Sequence, residues 1–226
     1  MKFPVPSAGR FQASNFPLKA LIAFAYGVLG SQISGAPDWT NSERFDIDAR
    51  ATDVNATREQ YQQMLQSLLV ERFKLQIHRE TRELPSYELV LAKASSRLKA
   101  ADPKGCDPTG QTGVICGAFY TGQASLDGRS MSMPQFCNAL AIVLGRPVAD
   151  HTGLNGRFDI HLEFDPEGVN LGKGVSGLTT DLDKADGTRP SIFSALPQQL
   201  GLKLESHKEP AGVLVIDRLE RLPTEN

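Results

Sequence analysis

The residues best suited to chemistry fall within one stretch, Gly145 to Phe164. Asp150 and His151 are adjacent in a turn rich in Pro and Gly, and Asp159, His161 and Glu163 then alternate with apolar Phe158, Ile160 and Leu162. An imidazole beside a carboxylate is what a general base needs, and a water activated there can attack an ester or lactone carbonyl. A period of two puts Asp159, His161 and Glu163 on one strand face, where they could converge on a substrate or a metal. The same pattern is also the ordinary solvated face of a half-buried strand. The catalytic candidates are Asp150, His151, His161 and Glu163.

Other constellations are sparser. Asp181, Asp183 and Asp186, followed by Gly187, offer closely spaced oxygen ligands for calcium, one residue out of step with the EF-hand spacing and without its closing Glu. A solvated acidic loop reads the same way. Cys106 and Cys116 flank a loop containing Pro108, Gly110 and Gly113, which suits a local disulfide and an oxidising compartment, whereas Cys137 sits among apolar helical neighbours that favour an inert thiol. Trp39 in its Pro/Gly turn and Tyr26 are candidates to line a ligand pocket. No Gly-X-Ser-X-Gly elbow, His-Glu-X-X-His helix, phosphate-binding Gly loop or dinucleotide fingerprint occurs. Any hydrolysis is therefore expected to use activated water rather than an acyl-enzyme.

The elements that must position these residues occur twice. Arg44-Phe45-Asp46-Ile47 repeats letter for letter as Arg157-Phe158-Asp159-Ile160, each copy preceded by an apolar helix and a turn. The first half reads as strand Phe11–Asn15, a helix through Leu18, Leu21, Ile22 and Ala25 with Asn15 as its cap, and strand Arg44–Ala51. A second helix follows, opened by Thr57 and Gln60 and carrying the stripe Tyr61, Met64, Leu65, Leu68, Leu69 and Phe73. Two strands, Phe73–His78 and Tyr87–Leu91, then form a hairpin around Pro85. The second half replays this with strand Ser130–Met133, a helix opened by Pro134, strand Arg157–Phe164, helix Ser191–Leu200, and strands Leu202–Glu205 and Val213–Asp217. Aligned on histidines, His78 matches His207, a recurrence that suggests a shared structural role.

The expected fold is α+β, a tandem duplication in which each half is a strand-helix-strand-helix-strand-strand unit with helices on a mainly antiparallel sheet. Residues 1–93 form the first repeat, 94–128 a Gly/Pro/Cys linker, and 129–226 the second repeat with an insertion at 165–189. The chain has 226 residues, 40% of them hydrophobic, enough to bury a real core. Twenty-four basic against 26 acidic residues give a net charge of −2. With no charge run of either sign, neither nucleic-acid binding nor a polybasic membrane patch is expected. The apolar run Leu18–Leu29 is too short to span a bilayer, so no membrane insertion is expected. Met1 to Pro6 lacks the apolar region of a signal peptide, which fits a cytoplasmic protein or an exported one without its leader.

Ser34-Gly35-Ala36-Pro37-Asp38-Trp39, Glu71-Arg72-Phe73-Lys74-Leu75 with His78-Arg79-Glu80-Thr81, the turn Gly145-Arg146-Pro147-Val148 to Thr152-Gly153-Leu154-Asn155-Gly156, and the tail Gln198 to Glu205 with Val215-Ile216-Asp217 form a distinctive set. In these the chain resembles, over nearly its whole length, an uncharacterised exported-protein family expanded in acidobacterial soil bacteria of the Solibacter type. The resemblance implies an extracytoplasmic location and a kinship with domains appended to membrane metallopeptidases of the antirepressor sensor type. It brings no catalytic residues.

Two functions follow as expectations. One is an extracytoplasmic hydrolase of a small ester or lactone, with calcium at Asp181, Asp183 and Asp186 as its cofactor. The other is a non-catalytic sensor module that holds a small molecule or peptide in the cleft between the two halves.

Overall fold

The computed structural model describes residues 10–50, 58–102, 104–107, 114–121, 124–165, 169 and 189–223. It is a mixed α and β protein whose chain divides into two compact units. One contains the described residues up to Leu84 and from Pro210 on; the other contains those from Pro85 to Glu209.

The first unit begins with β1 (Arg10–Pro17), α1 (Leu18–Tyr26), β2 (Ile33–Ser34), the single turn α2 (Trp39–Ser42) and β3 (Arg44–Arg50). Strands β1 and β3 pair antiparallel from Arg10↔Arg50 to Pro17↔Arg44, with a bulge between Ala13 and Phe16. Asn15 lies in that bulge at φ 59°, and its N–H donates to Asp46 Oδ1 at 2.8 Å. Asn15 therefore does not cap α1; Pro17 takes the N-cap position without any side-chain bond. Helix α1 buries Leu18, Leu21, Ile22 and Ala25 and stops at Gly27, whose φ of 63° is the left-handed end that glycine permits. Helix α3 (Arg58–Phe73) packs beside it, burying Tyr61, Leu65, Leu69 and Phe73. Gln62 and Gln66 donate to the carbonyls of Phe24 and Ala25, at 2.8 and 2.7 Å, tying α3 to the last turn of α1. Thr57, the expected cap of α3, lies outside the described residues.

The second unit contains β5 (Lys99–Ala100), β6 (Phe119–Thr121), β7 (Ser125–Met131), α4 (Met133–Leu144), β8 (Val148–Asp150), β9 (Phe158–Glu163) and α5 (Ile192–Ala195), which widens into a π-helical turn over Leu196–Leu200. The β5-β9-β7-β6 sheet is antiparallel. Strands β7 and β9 again carry a bulge, where Ser130 at φ 50° donates its N–H to Asp159 Oδ1 at 3.0 Å. Ser132 and Gln135 form the capping box of α4, which ends at Gly145 with φ 67°. Its core joins Leu89, Phe136, Leu140, Leu162, Phe164 and Leu196. The span 94–128, expected to be a linker, thus contains β5, β6 and the start of β7.

Two long strands correct the sequence reading. Gln76–Leu91 is a single strand, β4, not a hairpin, and Leu202–Arg218 is likewise one strand, β10. Proline was read as a turn at Pro85, but its fixed φ is compatible with extended backbone and only one N–H donor is lost. The strands change unit at Leu84/Pro85 and at Glu209/Pro210, so each unit owns part of each long strand. In the first unit β10 pairs parallel with β2 through Leu214↔Ile33 and Val215↔Ser34. In the second β4 pairs parallel with β8 through Tyr87↔Val148, Glu88↔Ala149 and Leu89↔Asp150. Both long strands follow a residue with positive φ, Lys74 at 50° and Gly201 at 69°. His78 is four residues past the first and His207 six past the second, so the two histidines do not share a position.

Candidate functional site

Strand β9 keeps the face predicted for it. Ile160 and Leu162 are buried while His161 and Glu163 are exposed, with 62% of each side chain accessible. Opposite His161 on β7 sits Asp127, whose Oδ1 is 2.5 Å from His161 Nδ1, and Glu163 Oε1 is 3.5 Å from Nε2. Asp127 in turn accepts the Ser125 hydroxyl at 2.8 Å. The hydrogen bond that the His161 imidazole donates to Asp127 is the main reason it holds its proton above the ordinary histidine value. Both ring nitrogens face carboxylates on an open sheet face.

Asp159, on the same strand, serves the backbone. Burial is the largest single influence on it and pushes its carboxyl up. The Ser130 N–H, the Arg129 guanidinium 3.1 Å away and the Asp102 N–H together outweigh that and hold it below the ordinary carboxylate value.

The adjacent pair Asp150 and His151 is divided between two tasks. Asp150 Oδ1 accepts from the N–H and hydroxyl of Thr152, at 3.0 and 2.7 Å, closing a local turn. His151 instead faces Glu88 on β4, with Nδ1 4.0 Å from Oε1, and His207 on β10 approaches the same oxygen to 3.7 Å. Of the four catalytic candidates the structure thus brings together His161 and Glu163, joined by Asp127. Asp127 was missed because the sequence reading started its strand five residues late, at Ser130.

Among the described residues no group of three or more His, Cys, Asp or Glu side chains is arranged to hold a metal ion. The proposed calcium ligands Asp181, Asp183 and Asp186 lie outside the described residues. Cys106 and Cys116 are joined by a disulfide. The free Cys137 is buried, and desolvation, with Asp150 nearby, pushes its thiol up to about 12, so it is no nucleophile at neutral pH.

His78, in the first unit, is clamped more tightly than His161. Its Nδ1 is 2.8 Å from Asp217 on β10 and its Nε2 2.9 Å from Glu80, which also accepts from Arg82 at 2.7 Å. Arg82 reaches on to the Ser34 hydroxyl at 3.1 Å.

The first unit also contains a small apolar surface groove, open to solvent. Phe11 and Ala49, paired across the β1–β3 ladder, form one wall, and Tyr61, Met64, Leu65 and Leu68 on α3 form the other, with Arg50 at the strand end. Tyr26 and Trp39, the expected pocket residues, are instead half-buried against the core of this unit, and burial raises the Tyr26 hydroxyl above the ordinary tyrosine value.

Among the described residues no helix is long and apolar enough to cross a membrane. No curated protein and no solved structure matches the chain. A family model described as a protein of unknown function, DUF3738, matches residues 19–219, and the chain therefore belongs to that family.

Proposed function

We propose that this protein is a non-catalytic module that binds a small molecule, and that the ligand lies in the groove between the β1–β3 ladder and α3. The observation that carries this reading is the groove itself. Five of its seven lining residues, Phe11, Tyr61, Met64, Leu65 and Leu68, are large and apolar, while Arg50 supplies one polar group at the edge. Few polar groups placed on an apolar wall are the usual plan of a ligand site. Thermal-shift titration of the purified protein with short apolar metabolites is expected to raise Tm, and Leu68→Trp, which fills the groove, is expected to abolish the rise. A rise of equal size in both proteins would refute this site.

Hydrolysis of an ester or lactone is the second reading, favoured by one contact, His161 Nδ1 to Asp127 at 2.5 Å. Its weakness is exposure. Transition-state charge is best stabilised where water is excluded, and His161 stands on an open face. Turnover of acyl lactones or short esters that is lost in His161→Ala would restore it, and sensitivity to a chelator would bring in calcium at Asp181, Asp183 and Asp186.

A tandem duplication accounts for the two halves. It is supported by the paired bulges at Asn15 and Ser130, each with positive φ and each N–H held by the Asp of an Arg-Phe-Asp-Ile copy. An extracytoplasmic location is supported by the Cys106–Cys116 disulfide.

A further inference from the structure

We infer that Asn155 is a site of spontaneous covalent modification, converting to aspartate and isoaspartate in the folded protein. Of the chain's asparagines, Asn155 alone is followed by glycine. The chemistry needs only water. The main-chain nitrogen of Gly156 attacks Cγ of Asn155, the Cγ–Nδ2 bond breaks, the side-chain nitrogen leaves as ammonia with the Gly156 amide proton, and a cyclic imide closes. Water then opens one of the two imide carbonyls, giving aspartate or an isoaspartate in which the main chain runs through the former side chain. Glycine permits the attack because no Cβ shields its nitrogen.

The turn leaves both reacting groups free. Asp150 accepts from Thr152, and the Leu154 N–H donates to the Thr152 hydroxyl at 3.1 Å, so the local bonds stop one residue short of Asn155. Asn155 and Gly156 are both exposed, and among the described residues neither the Asn155 side chain nor the Gly156 N–H has a hydrogen-bond partner. Gly156 has φ 115°, outside the regions open to other residues, and a Cβ built there would meet nothing within 4 Å. The ladder of β9 begins only at Phe158.

Asp127-Gly128 is the contrasting case, since an aspartate before glycine can close the same imide with loss of water. Here β7 lies between β6 and β9, Asp127 pairs with Tyr120 and His161, and Gly128 pairs with Phe119 and Ile160. The Asp127 carboxylate is further held by His161 and Ser125. The reaction is therefore open in the turn and closed in the sheet. At residue 155 it places a new negative charge beside Arg157, whose guanidinium donates to the Ser130 carbonyl at 2.8 Å, and isoaspartate adds one carbon to the main chain just before β9.

The test is peptide mapping, with fragmentation that distinguishes isoaspartate, of the full chain incubated at mildly alkaline pH both natively and in urea. Cleavage after Arg129 puts the two sites on separate peptides. Conversion of Asn155 in the native protein is expected within about threefold of its rate in urea, because an exposed turn opens at almost no cost. Isoaspartate at Asp127 is expected to form at least about tenfold more slowly in the native protein than in urea, because a central strand must first unpair. Folding that slows Asn155 as much as Asp127, or Asn155 intact in the native protein while urea converts it, would overturn the inference.

Discussion

Replacing Asp159 with alanine removes the carboxylate that holds the β7 bulge. In the native protein this side chain is 17% exposed, accepts the Ser130 N–H at 3.0 Å and faces Arg129 at 3.1 Å. Ser130 has φ 50°, a left-handed conformation that costs an L-residue about 1–2 kcal/mol, and the carboxylate helps to offset that cost. Leaving the Ser130 N–H without its acceptor costs about 1–3 kcal/mol, while the half-exposed Arg129 pair adds no more than about 1 kcal/mol. The total is about 1–4 kcal/mol. For a chain of this length that is a fall in Tm of roughly 2–8 °C. Asp159→Asn keeps an acceptor and loses the charge, so its deficit is about half as large. Because the folded carboxyl lies below its unfolded value of 3.8, the stability it contributes is present above that value and is lost as pH falls through the folded one. Urea denaturation of wild type and Asp159→Ala is therefore expected to give a constant gap from pH 5 to 7 that closes in acid. A deficit under about 0.5 kcal/mol at neutral pH, the level of an ordinary surface change, would refute this account of the bulge.

The histidine clamps predict the opposite pH response. His78, held chiefly by Asp217 and then Glu80, and His161, held chiefly by Asp127, both keep their protons above the ordinary 6.5. The stability they contribute is complete below 6.5 and is lost as pH rises through the raised values, so the urea midpoint should fall across that window in wild type and stay flatter in His78→Asn/His161→Asn. Gly35→Ala is expected to cost about 2–3 kcal/mol by urea denaturation, because φ is 73° and the new Cβ would lie 2.7 Å from the Ile216 carbonyl oxygen. Gly30→Ala, with nothing within 4 Å, should stay within about 0.5 kcal/mol, and equal costs would refute the contrast. Reducing the Cys106–Cys116 bridge, which spans a sequence separation of 10, should cost about 2.5–3 kcal/mol from the loop entropy returned to the unfolded chain. The same Tm with and without reductant would contradict this.

The local elements were legible in the sequence because period and punctuation encode them. The stripe on α3 identified its buried side, and the alternation of Phe158, Ile160 and Leu162 identified the face carrying His161 and Glu163. Pairing across long sequence distances was not legible. Nothing local distinguishes a proline that turns a chain from one that merely leaves a ladder bond unmade, so β4 and β10 were each read as two strands. The partners of the histidines were hidden for the same reason: Asp127 is 34 residues from His161, and Asp217 is 139 from His78. Asp150 and His151 illustrate the converse, neighbours in sequence that point to different partners. The groove joins Phe11, Arg50 and Leu68 from two strands and a helix, and its helical residues Tyr61, Met64, Leu65 and Leu68 were read only as part of a buried stripe.

The most direct test of ligand binding in the groove is a methyl-labelled NMR titration with the short apolar metabolites that raise Tm. Saturable shifts are predicted at the methyls of Met64, Leu65 and Leu68, with those of Leu140, Leu162 and Leu196 in the core of the second unit unmoved. Shifts absent from the three groove residues, or centred on the second unit, would contradict the account.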